Sequence, residues 1–211
     1  MEYLDKSYLD KSLSYSEYRT LGQELLEKGT TTNGDNSPKI LEYTKMNMHR
    51  MNRLDKTTKL NENTKAALAN LSSDEKGYWV VLIESWCGDA AQIVPVMNKI
   101  AEEANKESEK LELRFLLRDE NPDLIDEFLT NGGRAIPKLI AIKEDKDKQL
   151  KIIDSWGARP AEAQKLVTDY KQKVKENPEL EDYQAFSESL HGWYAKDKTQ
   201  HTQNELAEFL K

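Results

Sequence analysis

The hydrophobic period of the chain changes at one place, around residue 87. Residues 78–84 form an apolar run rich in β-branched and aromatic side chains, which is typical of a buried strand. From residue 89 onward apolar residues recur every three or four positions, which indicates one face of a helix over 89–106. The pattern therefore predicts a strand that passes directly into a helix, with the only cysteine of the chain, Cys87, at the junction.

Downstream of Cys87, predicted strands and helices alternate as far as residue 175. Apolar runs predict further strands at 111–118, 138–143 and 149–156, with a helix from about Asn121 through Leu129 and another over 159–175. A short charged turn separates the last two strands, which is typical of an antiparallel hairpin. A βαβ unit followed by a hairpin and a helix predicts an α/β fold with a mixed central sheet flanked by helices.

The sequence predicts helical extensions, 1–76 and 176–211, on either side of this 77–175 domain. In the N-terminal extension, helical spacing and turn residues predict helices at 15–28, 37–55 and 60–71 and a loop at 72–77. A doubled Tyr-Leu-Asp-Lys-Ser at the start predicts a short arm or helix. In the C-terminal extension, amphipathic aromatic residues predict a helix from residue 178 that docks on the core.

Charge and composition narrow the classes of function. The 31 basic and 38 acidic residues give a net charge of −7, and they are interleaved, which argues against nucleic-acid binding. No apolar run approaches the ~20 residues of a membrane span, and the first residues do not resemble a signal peptide. One cysteine excludes an intramolecular disulfide, so a reducing, cytoplasmic setting is expected.

The sequence contains no combination of residues that calls for a metal. His49, His191 and His201 each lack a second ligand at metal spacing, so packing or surface roles are favoured for them. The stripe of Met46, Met48 and Met51 is interpreted as helix packing rather than as a soft ligand set.

Cys87 lies where a helix begins, and two opposing effects act on its thiol. Unpaired helix N–H groups and the positive end of the helix dipole favour the thiolate. The carboxylate of Asp89 opposes it. The sequence leaves open which of the two is larger.

Four motifs in order resemble the thioredoxin superfamily. Trp86-Cys87-Gly88-Asp89-Ala90 resembles the Trp-Cys-Gly-Pro-Cys active site, and Pro95 matches a kinking proline eight residues after the cysteine. The segment 119–122, Asp-Glu-Asn-Pro, is similar to the Asp-x-Asn-Pro of thioredoxins. Residues 134–139, Arg-Ala-Ile-Pro-Lys-Leu, resemble their cis-proline segment, and Gly157 matches the glycine after the final strand. The resemblance covers about 77–175, and the helical flanks are similar to a bacterial branch of thioredoxin-like proteins.

The resemblance implies a thioredoxin-like fold and an active site around Cys87. The implied motif residues are Trp86, Gly88, Asp89 and Ala90, and the implied substrate groove is formed by Arg134, Ile136 and Pro137. It also implies a cis peptide bond before Pro137, whereas an ordinary trans proline opening an edge strand is the alternative. The backbone of Ile136 is then expected to pair with an extended substrate chain.

One departure from the family changes the expected activity. Ala90 stands where thioredoxins have the second cysteine that resolves the mixed disulfide. We therefore expect a monothiol thiol–disulfide oxidoreductase in cell redox homeostasis, acting on protein or low-molecular-weight disulfides. It would need no cofactor beyond an outside thiol such as glutathione. The alternative is a non-catalytic binding or regulatory protein that uses the proline groove, so whether the chain is an enzyme stays open.

Two further positions have alternative interpretations. The buried carboxylate of thioredoxins corresponds to Val81 here; Glu84 is the nearest upstream acid and is either its substitute or, as favoured, an exposed strand end. Arg118 and Arg134 either bind an anionic group or, as favoured, pair with Asp119 or Glu120 at the surface.

Overall fold

A five-stranded mixed sheet organises the chain, in a computed structural model that describes residues 1–71 and 76–210. Its strands are β1 Tyr3–Leu4, β2 Gly77–Ile83, β3 Leu111–Leu117, β4 Lys138–Glu144 and β5 Leu150–Gly157. They lie in the order β1-β5-β4-β2-β3, with β2 and β3 parallel and the other neighbours antiparallel. The predicted mixed α/β sheet and its four main strands are therefore confirmed, each strand to within one residue. Most of the predicted 72–77 loop lies outside the described residues.

The strand β1 was not predicted. Tyr3 and Leu4 pair with Lys151 and Leu150 at the edge of the sheet, and a four-residue helix, α1 Ser7–Asp10, follows. The doubled pentapeptide thus begins with a strand rather than with helix. Only Leu4 in this pair is buried, which is too little alternation to indicate a strand in the sequence.

Helices cover both ends of the described sequence and the faces of the sheet. The remaining ones are α2 Tyr15–Glu27, α3 Pro38–Thr57, α4 Glu62–Ala69, α5 Gly88–Ala104, α6 Pro122–Asp126, α7 Ala161–Glu176, α8 Tyr183–Asp197 and α9 Gln200–Ala207. Helix α3 packs along α5, and α9 contacts α4 and α5. No helix in the described part of the chain is long and apolar enough to cross a membrane.

Two predicted helices differ from the structure for local reasons. Helix α6 ends near Glu127 rather than at Leu129, because Thr130 and Gly133 pair with each other across a tight turn that leaves the helical path. The C-terminal segment divides between α8 and α9 because Lys198 and Thr199 both have a positive φ, at 50° and 68°.

Strand β2 is an interior strand of the sheet, between β4 and β3, and Cys87 follows its C-terminal end. Trp79 to Ile83 are buried, at 1% exposure or less, because helices cover both faces of this strand. Helix α5 begins directly after it, at Gly88. The start of α5 is therefore fixed by the sheet on one side and by the helical extensions on the other.

Candidate active site at Cys87

Cys87 is held between the end of β2 and the loop before β4. Its N–H donates to the Glu84 carbonyl at 3.1 Å, and its thiol donates to the Ile136 carbonyl at 3.3 Å. The residue is only 8% exposed. The Ile136–Pro137 peptide bond is cis. The structure thus brings Cys87 into contact with the loop of Ile136 and Pro137, which lies about 50 residues later in the sequence.

Two glycines make this close packing possible. Gly157 has φ +119°, and a Cβ there would overlap the Pro137 carbonyl oxygen. A Cβ on Gly88 would overlap the hydroxyl of Tyr43 and stand 2.9 Å from Nε2 of His191. Because Tyr43 belongs to α3 and His191 to α8, both extensions lie directly on the residue after the cysteine.

Asp89 is buried in the first turn of α5 and is bound by residues from two other elements. Its Oδ1 accepts from the Tyr194 hydroxyl at 2.8 Å, and its Oδ2 pairs with the Arg159 guanidinium at 2.6 Å. Burial raises the pKa of Asp89, while the charge of Arg159 and the hydrogen bonds from Tyr194 and Arg159 act in the opposite direction. Neither Arg159 nor Tyr194 lies in a motif, so sequence reasoning missed that they belong to the site.

A second polar group lies beside this one. His191 Nε2 contacts the Tyr43 hydroxyl at 2.8 Å, and its Nδ1 contacts the Gln92 amide at 3.1 Å. Burial, followed by the charge of Arg50, lowers the pKa of His191 to about 4. The ring is therefore neutral at pH 7 and serves as a hydrogen-bonded packing element. Within the described residues no group of histidine, cysteine and carboxylate side chains is arranged to hold a metal ion.

The thiol of Cys87 is neutral in this environment. Burial is the main cause that raises its pKa to about 12, and the Asp89 carboxylate adds to it. The N–H groups of Ala90 and Asp89 and the charge of Arg159 lower the pKa by less. From the sequence, the helix N-terminus and Asp89 were the two opposing effects on the pKa of Cys87. The structure shows that burial affects this pKa more than either of them.

Trp86, Arg118 and Arg134 lie beside the site; Trp86 and Arg118 are partly buried, and Arg134 is exposed. The Arg118 guanidinium lies 4.9 Å from the Trp86 ring centre and pairs with Asp119 at 2.7 Å. Arg134 makes two hydrogen bonds with Asp126, at 2.7 and 2.6 Å. Surface pairing, the favoured interpretation, describes both arginines, although the partner of Arg134 is Asp126 and not Asp119 or Glu120.

Glu84 is fully buried, so the prediction of an exposed strand end was wrong. Its carboxylate accepts from the Asp119 N–H at 2.9 Å and from the Thr32 hydroxyl. The segment after β3 and the loop after α2 close over it, which the strand pattern alone did not reveal. Burial raises the pKa of Glu84. Val81, at the position of the family's buried carboxylate, is fully buried in β2.

Comparisons with known proteins agree on the fold. A crystal structure of a protein of unknown function from Pseudomonas aeruginosa matches with a TM-score of 0.52 and 14% identity, over 93% of this chain and 96% of that one. A crystal structure of an HIV epitope-scaffold matches with a TM-score of 0.50 and 14% identity, over 93% and 97%. At this identity both show the fold alone. No curated protein matches the sequence.

The family itself is shown by a sequence model. A family model described as Thioredoxin matches residues 34–171. The match begins before the predicted 77–175 domain and includes α3, the helix that supplies Tyr43 to the site. Because this match spans well over half of the 211 residues, the chain belongs to the thioredoxin family.

Proposed function

We propose that this thioredoxin-family protein carries out thiol–disulfide exchange through Cys87 as a single active-site thiol. The observation that carries the proposal is the 3.3 Å contact between Cys87 Sγ and the carbonyl of Ile136, beside Pro137. An extended chain paired with the Ile136 backbone would have its own disulfide next to this sulfur. The substrate class is accordingly a protein or low-molecular-weight disulfide.

The exchange needs two steps and an outside thiol. Cys87 loses its proton to solvent, and its sulfur attacks one sulfur of a disulfide R–S–S–R′, which forms Cys87–S–S–R and releases R′S⁻ to be protonated. A second thiol, R″SH, attacks as its thiolate at the R sulfur; this releases Cys87 and forms R–S–S–R″. Cys87 takes up a proton again, and a further R″SH converts R–S–S–R″ into RSH and R″–S–S–R″, so two outside thiols are oxidised for each disulfide reduced. Ala90 has no sulfur with which to perform this second step, so glutathione or a similar small thiol is the proposed co-reductant.

A reducing compartment, the bacterial cytoplasm, suits this chemistry because small thiols are kept reduced there. In such a compartment the mixed disulfide is a transient species, and Cys87 returns to the thiol after each cycle.

A second candidate function rests on a different observation. Cys87 is buried, and its pKa of about 12 leaves very little thiolate at pH 7. These features favour a binding or regulatory protein that retains the groove beside Pro137 without turnover. The two candidates differ in whether Cys87 forms a covalent bond.

A disulfide-reduction assay on the full chain, with and without glutathione, separates these functions. We expect turnover that requires glutathione and is lost in Cys87→Ser. Intact mass analysis after treatment with oxidised glutathione should show one adduct on the wild type and none on Cys87→Ser. No turnover and no adduct, with partner binding equal in wild type and Cys87→Ser, would establish the non-covalent binding protein instead.

A further inference from the structure

The carboxylate of Asp89 is the closest fixed negative charge to Cys87 along the chain and is anchored from both sides. Arg159, in the loop between β5 and α7, pairs with Oδ2 at 2.6 Å, and Tyr194 of α8 donates to Oδ1 at 2.8 Å. The side chains of Asp89 and Arg159 are 9% and 18% exposed. In such a poorly solvated site the charge of Asp89 acts over several ångströms on its neighbours.

These contacts favour the ionised form of Asp89. Arg159 is a permanent cation, and its other hydrogen bond, from Nη1 to the Gln164 side chain at 3.3 Å, is long. Tyr194 keeps its proton because burial and Asp89 raise its pKa well above the ordinary value. Both partners therefore donate, and a carboxylate is the form of Asp89 that accepts from both.

We propose that Asp89, held by Arg159 and Tyr194, is a positioning residue whose charge adds to burial in disfavouring the Cys87 thiolate of the resting protein and thereby further slows both formation and release of its mixed disulfide. The inference rests on the proposed exchange function. Formation slows because the attacking species is the thiolate, and release slows because a thiol of high pKa is a poor leaving group. The C-terminal helix α8, through Tyr194, is thus part of the active site.

The other titratable groups around Cys87 do not take this role. Tyr18 of α2 and Tyr183 of α8 interact electrostatically with the cysteine but have raised pKa values and are neutral at pH 7. His191 of α8 is neutral and contacts Tyr43 of α3 and the Gln92 amide. Glu84, at the end of β2, is bound to Thr32 and to the Asp119 N–H. Asp89 and Arg159 are the charged pair that remains, and Asp89 is the nearer in sequence.

The test is the pH dependence of alkylation of Cys87 by iodoacetamide in the full chain. In Asp89→Asn, which keeps the size and a hydrogen bond to Tyr194, we expect the profile to move to lower pH by about one unit. The rate at pH 7 should rise about three- to fourfold, because the tenfold gain in thiolate is partly offset by its lower nucleophilicity. Release of a glutathione adduct from Cys87 by free thiol should accelerate as well. An unchanged profile, or one displaced to higher pH, would overturn the proposal.

Tyr194→Phe is the matched control because it loosens the same contact without removing the charge. Arg159 still holds Asp89 as an anion in this variant, so its alkylation profile should not move to lower pH. If Tyr194→Phe accelerates alkylation as much as Asp89→Asn does, loosening of the helix start and not charge governs Cys87, and the proposal fails.

A measurement on the wild type covers the case in which Asp89→Asn does not fold. The carboxyl ¹³C resonance of Asp89, assigned in ¹³C-aspartate-labelled protein, should report an ionised group at pH 7, and a protonated group would overturn the proposal. Alkylation needs no disulfide substrate. A shifted profile without disulfide turnover would therefore contradict the proposed function alone, and turnover with an unshifted profile would contradict this inference alone.

Discussion

Two buried carboxylates flank Cys87, and they are held in different ways. Glu84, three residues before the cysteine, accepts from a backbone N–H and a hydroxyl. Asp89, two residues after it, pairs with a guanidinium and a phenol. Burial raises the pKa of both. A neutral donor set suits a carboxylate that fixes a loop, whereas a cationic partner suits one whose charge is retained in the site.

The difference shows how one fold assigns separate tasks to similar side chains. Glu84 joins the end of β2 to the segments at Thr32 and Asp119, so it determines where the Cys87 loop lies. Asp89 contributes directly to the raised pKa of the cysteine. The first carboxylate acts through position and the second through charge, and each can be removed without removing the other.

The largest expected effect comes from removing Arg159, the cation that pairs with Asp89; Glu84 accepts from neutral donors instead. Arg159→Met leaves a buried carboxylate unpaired, which should lower the free energy of unfolding by about 3–5 kcal/mol at pH 7. The loss should shrink as the pH falls. A buried acid with a raised pKa contributes its full stability to the folded state below its unfolded pKa of 3.8, and this contribution is lost as the pH rises through its folded pKa. Urea unfolding at several pH values measures both.

The double variant Asp89→Asn with Arg159→Met is the control for this prediction. It removes the orphaned charge and should recover much of the lost stability. A loss below about 1 kcal/mol in Arg159→Met, with no pH dependence, would show that the ion pair does not hold Asp89 and that the two carboxylates are equivalent.

The second effect concerns the thiol that lies between them. Because the folded pKa of Cys87 is raised from 9.0 to about 12, its contribution to stability is complete below pH 9 and is lost as the pH rises through 12. Relative to Cys87→Ala, the wild type should lose up to about 4 kcal/mol over this interval, or 1.36 kcal/mol per pKa unit. Buried tyrosines titrate in both proteins and cancel in the comparison. Parallel stability curves from pH 8 to 11 would contradict the raised pKa.

The third effect tests the positional role of Glu84. Glu84→Gln keeps the shape but turns an NH₂ toward one of its two donors, so one donor loses its acceptor at a cost of about 1–3 kcal/mol. We expect little change in the pH profile of Cys87 alkylation, in contrast to Asp89→Asn. A downward shift of that profile as large as the shift in Asp89→Asn would remove the distinction between the carboxylates.

The sequence predicted the scaffold better than the site because the two depend on different information. The strand–helix junction at Cys87 and the antiparallel hairpin follow from local periodicity, which the chain carries in each segment. The burial of Glu84 depends on the position of Thr32, and the contacts of Asp89 depend on the positions of Arg159 and Tyr194. No motif links these positions in the sequence. The acidity of Cys87 was left open for the same reason, since its largest cause is burial by elements distant in sequence.

The smallest expected effect comes from removing the second hydrogen-bond donor of Asp89, the Tyr194 hydroxyl. Tyr194→Phe removes one donor from a carboxylate that still has Arg159, so the loss in the free energy of unfolding should be about 1–2 kcal/mol, less than in Arg159→Met. Because Tyr194 and Arg159 both bind Asp89, the loss of unfolding free energy in the double variant Tyr194→Phe with Arg159→Met should differ from the sum of the two single losses. Tyr43→Phe, which removes a hydroxyl bound to His191 instead, is the matched control and should be additive with Arg159→Met. If Tyr194→Phe combines additively with Arg159→Met in the same way, Asp89 does not couple α8 to the loop before α7, and its charge is held by Arg159 alone.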